Sequence, residues 1–388
     1  MPWTRRSIGL SIRSDERATS KAKWRCNEKM GMKQVAQSGW MTLVLVIVAV
    51  GVGFSMWMRQ PAMQAAAPPA RTPVNLTAWV VDWQWESGLT DAGELGKALS
   101  RVQAFAAYFD ESDQPYFTKA FQEALPQIRE TAEAAGIGEL NLTLVNDIVR
   151  RDGSESPKDS ELVSRLVSTK EAREKHIAEI EALLDQYSFQ GVEIDYERIP
   201  DKDWGYMTAF YRELYERMHA KGKSLRIVLE SRAPVETLKL PEGPEYVMMA
   251  YNLYGTHSGP GPKADKAFLK KLAKRMTAVP GVKTIAIAAG GFDWHGDQVT
   301  AITEQQAVKI RYTNGSELKR DAASGSLHYQ YTDDKNVKHT VWYADGSTLT
   351  SWIDTLRQAG ISHVAVWRLG ELGSGTLDKL VQAATTAM

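Results

Sequence analysis

A chain of 388 residues that is 43% hydrophobic can bury a sizeable core, which excludes a disordered protein. Lys plus Arg equal Asp plus Glu at 47 each, yet residues 1–39 carry nine of the bases and three of the acids, leaving 38 basic and 44 acidic residues in the rest. A mildly acidic body lacks the basic face that nucleic acid demands, and a single cysteine, Cys26 in the tail, excludes internal disulfides and cysteine metal clusters from the body.

The chain opens on a basic, aperiodic tail at residues 1–39. Trp40 to Met58, WMTLVLVIVAVGVGFSMWM, then runs 19 residues without a charge and has tryptophans near both ends. That length spans a bilayer as a helix, and the bases before it keep the tail in the cytoplasm and the rest outside. A cleaved signal ending near AMQAAA (Ala62 to Ala67) is the alternative, and either reading exports the body. Residues 59–74, rich in Ala and Pro, read as a linker.

From Asn75 onward, apolar runs alternate with helical patterns, the signature of a parallel sheet. The runs are Leu76–Trp83, Val102–Phe109, Leu140–Asp147, Phe189–Glu197, Ser224–Ser231, Tyr246–Asn252, Thr284–Phe292 and His363–Gly370. Helices are expected at Tyr116–Ala135, Glu161–Tyr187, Trp204–Ala220, Asp265–Thr277 and Leu349–Ala359. Eight such strands close naturally into a (β/α)8 TIM barrel over residues 75–388. An open doubly wound sheet is the alternative, although no glycine-rich phosphate loop follows the first strand. Between strands 7 and 8, at about residues 295–346, a small α+β insertion is expected. There His328–Asp334 and Lys338–Asp345 read as a hairpin beside the barrel mouth.

The fourth run, FQGVEIDYERIP, sets Glu193, Asp195 and Glu197 at alternate positions, so all three face one way while Val192, Ile194 and Tyr196 face the other. Ionised together in a water-poor site they would repel strongly, so the row implies a shared proton. Glu197 falls at the carboxyl end of the strand, where parallel α/β enzymes keep their chemistry. An edge strand with solvent-facing acids is the bland alternative. Trp83 and Asn146, at the ends of strands 1 and 3, are mouth candidates by position. The seven histidines show no HxH or HExxH spacing, and neither a metal nor a cofactor is expected.

QGVEIDYE (Gln190 to Glu197) resembles the DGxDxDxE signature of the family 18 glycoside hydrolases. Gly191, Asp195 and Glu197 match, while Gln190 and Glu193 replace aspartates. MAYN (Met249 to Asn252) is similar to the family's MxYD, with Asn252 for Asp, and Trp367 lies on strand eight. NLYGTHSGPGP, YTDDKNVKHTVWYADGSTL and AVWRLGELG look most like the bacterial spore-cortex and cell-wall branch, without its LysM repeats.

The resemblance implies that Glu197 protonates the glycosidic oxygen. It also implies that Asp195 holds the substrate's N-acetyl group for attack on the anomeric carbon, with Tyr251 donating to the acetamide. Trp367 would floor the sugar, with Glu193, Asn252, Asn146 and Trp83 as further substrate-binding candidates. The expected protein is a membrane-anchored monomer that cleaves N-acetylglucosamine-containing glycans, peptidoglycan first and chitin-type oligomers second. A non-catalytic glycan-binding barrel is the rival, and an envelope scaffold without a sugar site is the third reading.

Overall fold

The computed structural model describes residues 72–385. The expected tail, apolar span at 40–58 and all but the end of the linker lie outside the described residues. Among those described, no helix is long and apolar enough to cross a membrane.

Eight parallel strands form a ring: β1 (Asn75–Val81), β2 (Leu99–Phe109), β3 (Glu139–Val149), β4 (Gly191–Asp195), β5 (Ser224–Leu229), β6 (Glu245–Met249), β7 (Lys283–Ala288) and β8 (His363–Trp367). Neighbours in the ring are neighbours in sequence, and β8 returns to β1 with Leu76 opposite Val364. Closure leaves no place for the open doubly wound alternative. Each strand has two buried faces, which is why the sequence shows nearly continuous apolar runs. On β4 the alternation divides as its period demands: Val192 and Ile194, with Tyr196 just beyond, join the outer layer beneath the helices. Inside the ring a smaller cluster forms around Trp79, Phe105, Val145, Val228, Val247 and Ala365.

The helix expected over Glu161–Tyr187 is two, Ser160–Val167 and Lys170–Gln186, because the Thr169 side chain accepts from the Ala172 N–H and starts a new N-terminus. A helix not expected, Trp85–Leu95, follows β1. Gly88 interrupts its apolar pattern, and a Cβ there would come within 3.1 Å of Val80, so the glycine lets the helix lie close on β1. No helix joins β5 to β6 among the described residues, where Pro234, Pro241 and Pro244 break the connection.

The insertion begins earlier than expected, at Gly290, whose φ of 62° turns the chain out of β7. It is an antiparallel sheet ordered Gln298–Ile302, Gly290–His295, Lys338–Ala344, Leu327–Thr332, Lys319–Arg320, covered by the helix Glu304–Asn314. The expected hairpin is its centre, with Thr332 opposite Lys338.

Candidate active site

Glu197 lies two residues past the end of β4, with its side chain about one quarter exposed. Asn146 of β3 is fully buried and clamps it: the Asn146 amide donates to the Glu197 carbonyl (3.0 Å) and to the Asp159 carbonyl (3.1 Å), while its Oδ1 accepts from the Glu197 N–H (2.9 Å). Asn146 was expected to meet substrate; its polar atoms are instead spent on the main chain that carries Glu197. Arg198 follows at φ 55° and donates its N–H to Glu230, completing the turn.

Asp195 is 5% exposed, and its Oδ1 makes no hydrogen bond. Burial drives its pKa well above the carboxylate range; the Lys158 ammonium opposes this, and the charges of Glu197 and Glu193 add to it. Tyr251, at the end of β6, is packed against the inner cluster beside Trp367, with ring centroids 6.3 Å apart. Burial raises its phenol pKa well above the usual value, and Asp195, Glu197 and Glu193 raise it further, so the phenol stays a donor facing the acids. Glu197, Asp195 and Tyr251 thus lie near enough for the two acids to act on the phenol.

Glu193 departs from expectation. It is fully buried and cannot touch a sugar from where it stands. Trp79 Nε1 (2.5 Å) and the Thr143 hydroxyl (2.7 Å) donate to its Oε1, and Arg226 Nε lies 3.0 Å from its Oε2. Burial raises the Glu193 pKa, while Arg226 and the two donors pull against that rise. Arg226, itself without exposure, also approaches Glu245, which Arg101 contacts at 2.7 Å. The first acid of the row therefore belongs to an ion network that fills the barrel below the mouth. Arg226 went unnoticed because one arginine in an apolar strand has no local partner in sequence.

Trp367 forms edge contacts with Trp79 (5.7 Å) and Phe105 (5.0 Å), and Phe105 meets Trp83 edge-on at 5.7 Å. Trp83 is 36% exposed. Asn252 is exposed and left-handed at φ 56°, a conformation Asn and Asp both tolerate. Also unforeseen was Lys158, from the loop before the helix Ser160–Val167, with its Nζ 2.9 Å from Glu197 Oε1 and 3.9 Å from Asp147. Burial opposes its charge, but Glu197, Asp195 and Asp147 outweigh burial and hold the ammonium protonated.

In the insertion, sheet pairing sets His295 opposite His339, next to Asp293, with one potential ligand atom of each within 4.8 Å of the others. Linear spacing could not reveal this cluster. Its rings are stacked at 17°, and the Asp293 carboxylate already accepts from Tyr331 and faces His339 Nδ1 at 2.9 Å. Nδ1 of His295 and Nε2 of His339 are buried without a hydrogen-bond partner.

Residues 155–371, more than half of the chain, match the sequence profile of the Glycosyl hydrolases family 18. A cortical fragment-lytic enzyme of Bacillus subtilis is 22% identical over 235 residues, which is 54% of this chain and 53% of that protein. The chain spans about half the length of this curated relative. Among solved structures, the Bacillus cereus spore cortex-lytic enzyme SleL superposes with a TM-score of 0.67 at 17% identity, covering 81% of this chain and 75% of that one. A class V chitinase of Nicotiana tobaccum in complex with NAG4 gives 0.65 at 13% identity, covering 82% and 100%.

Proposed function

Since the chain belongs to the Glycosyl hydrolases family 18, and is thus a glycoside hydrolase, we propose that it cleaves β-linkages next to N-acetylglucosamine with retention. The observation that carries this reading is Asp195, buried and with an unpartnered oxygen, set between the ion-paired Glu193 and the partly exposed Glu197, with the Tyr251 phenol facing them. Glu197 gives its proton to the glycosidic oxygen as the bond to the anomeric carbon breaks. The substrate's acetamide oxygen, oriented by Asp195 and Tyr251, forms the new bond to that carbon. Glu197 then takes a proton from the water that opens the cyclic intermediate, which restores the starting configuration.

Peptidoglycan is the favoured glycan and chitin-type oligomers the second. The cortex-lytic relative and neighbour support the first, and the chitinase neighbour supports the second. Residues 40–58 are proposed to anchor the protein, with the barrel on the extracytoplasmic face. Glu197→Gln tests the reaction: hydrolysis of peptidoglycan and of N-acetylglucosamine oligomers should vanish while oligomer binding persists. Wild-type rates in that variant would end the mechanism. The rival binding-only reading draws on the Lys158–Glu197 ion pair, which already engages the carboxyl proposed as the acid. Wild-type binding without product release would select it.

A further inference from the structure

Two cations flank the aromatic wall of the site. Lys158 Nζ stands 5.7 Å from the Phe105 ring centroid, and the Arg368 guanidinium stands 5.6 Å from that of Trp83, the two rings being in edge contact. Arg368 directly follows Trp367 of β8. Its hydrogen bonds go to the neutral Gln84 Oε1 (2.6 Å) and the Leu369 carbonyl (3.4 Å), and among the described residues no carboxylate lies within ion-pair distance of it. Glu371 and Asp91 act on it only from farther away, and Lys263 senses it as a like charge. Burial lowers its pKa to about 10, as expected of a desolvated guanidinium without an anion. Lys158 does have anions, Glu197 at 2.9 Å and Asp147 at 3.9 Å, and the nearer is the carboxyl proposed as the acid.

A half-buried cation with only neutral partners is costly unless an anion arrives, and arginine's planar fork matches a carboxylate. A neutral chitin-type oligomer brings no anion. We propose that Lys158 and Arg368 are specificity-determining residues that recognise a carboxylate borne by the glycan beside the bond to be cleaved. An incoming carboxylate gives Arg368 the anion it lacks, or gives Lys158 a partner besides Glu197. The inference rests on the hydrolase reading above and adds to it the charge of the substrate.

The test compares the full-length protein with its Lys158→Met, Arg368→Met and Lys158→Arg variants on three glycans. These are peptide-free strands of alternating N-acetylglucosamine and N-acetylmuramic acid with free lactyl carboxylates, the same strands methyl-esterified, and tetra-N-acetylglucosamine. The readout is the ratio of kcat/KM for the acid to that for the ester strands. The wild type should favour the acid strands. Each methionine variant should lower the ratio ten- to a hundredfold, the size expected of a lost charge-assisted hydrogen bond, and Lys158→Arg should keep most of it. A wild-type ratio near one, or a ratio unchanged in both methionine variants, overturns the inference and leaves the hydrolase reading standing. If no glycan is cleaved, the same ratio taken from calorimetric binding decides the inference, and the hydrolase reading alone falls.

Discussion

Replacing Asn146 with Ala separates two roles that its position at the end of β3 leaves open. The wild-type amide makes three hydrogen bonds in a fully buried place, two of them to the main chain of Glu197. At about 1 kcal/mol net for each bond, Asn146→Ala should lower unfolding free energy by about 3 kcal/mol, read by urea denaturation. The catalytic cost is of another kind. Glu197 lies beyond its strand before a left-handed residue, so without the clamp its main chain relaxes, and a displacement of about 1 Å costs about a hundredfold in rate. Steady-state kinetics on N-acetylglucosamine oligomers should show kcat reduced about a hundredfold with KM nearly unchanged. A KM that rises while kcat holds would refute the reasoning, since that is the signature of a lost sugar contact.

Arg226→Met leaves Glu193 buried without its cation and should destabilise the protein by about 3–5 kcal/mol in urea; adding Glu193→Leu should recover most of that, and a single-variant loss below about 1 kcal/mol would contradict the network. Asp91 accepts from the Gly370 and Leu372 N–H groups and so holds the turn after Trp367 and Arg368, and burial pushes its pKa up to about 6. A carboxyl that binds its proton more tightly when folded contributes stability that is complete below the unfolded value of 3.8 and is lost as pH rises through about 6. Wild type should therefore lose about 3 kcal/mol relative to Asp91→Asn between pH 3.5 and pH 7, and a pH-independent difference would exclude that titration.

Sequence alone determined the barrel and the face of its acidic row. Those features are periodic: Val192, Ile194 and Tyr196 against Glu193, Asp195 and Glu197 follow from a two-residue repeat, and strands buried on both faces are apolar throughout. The same pattern placed Asp195 and Glu197 at the carboxyl end of their strand, while Tyr251 came from the resemblance of MAYN to the family's MxYD. What each polar group does there depended on partners far away in the chain. Asn146 reaches Glu197 across 51 residues, Trp79 reaches Glu193 across 114, and Arg368 reaches Gln84 across 284. No local spacing encodes such pairs, because ring closure, not chain order, brings β1, β3, β4 and β8 to a common interior. Tertiary structure therefore decided that Glu193 is paired with Arg226, that Asn146 hydrogen-bonds the main chain of Glu197, and that Lys158 stands beside Glu197.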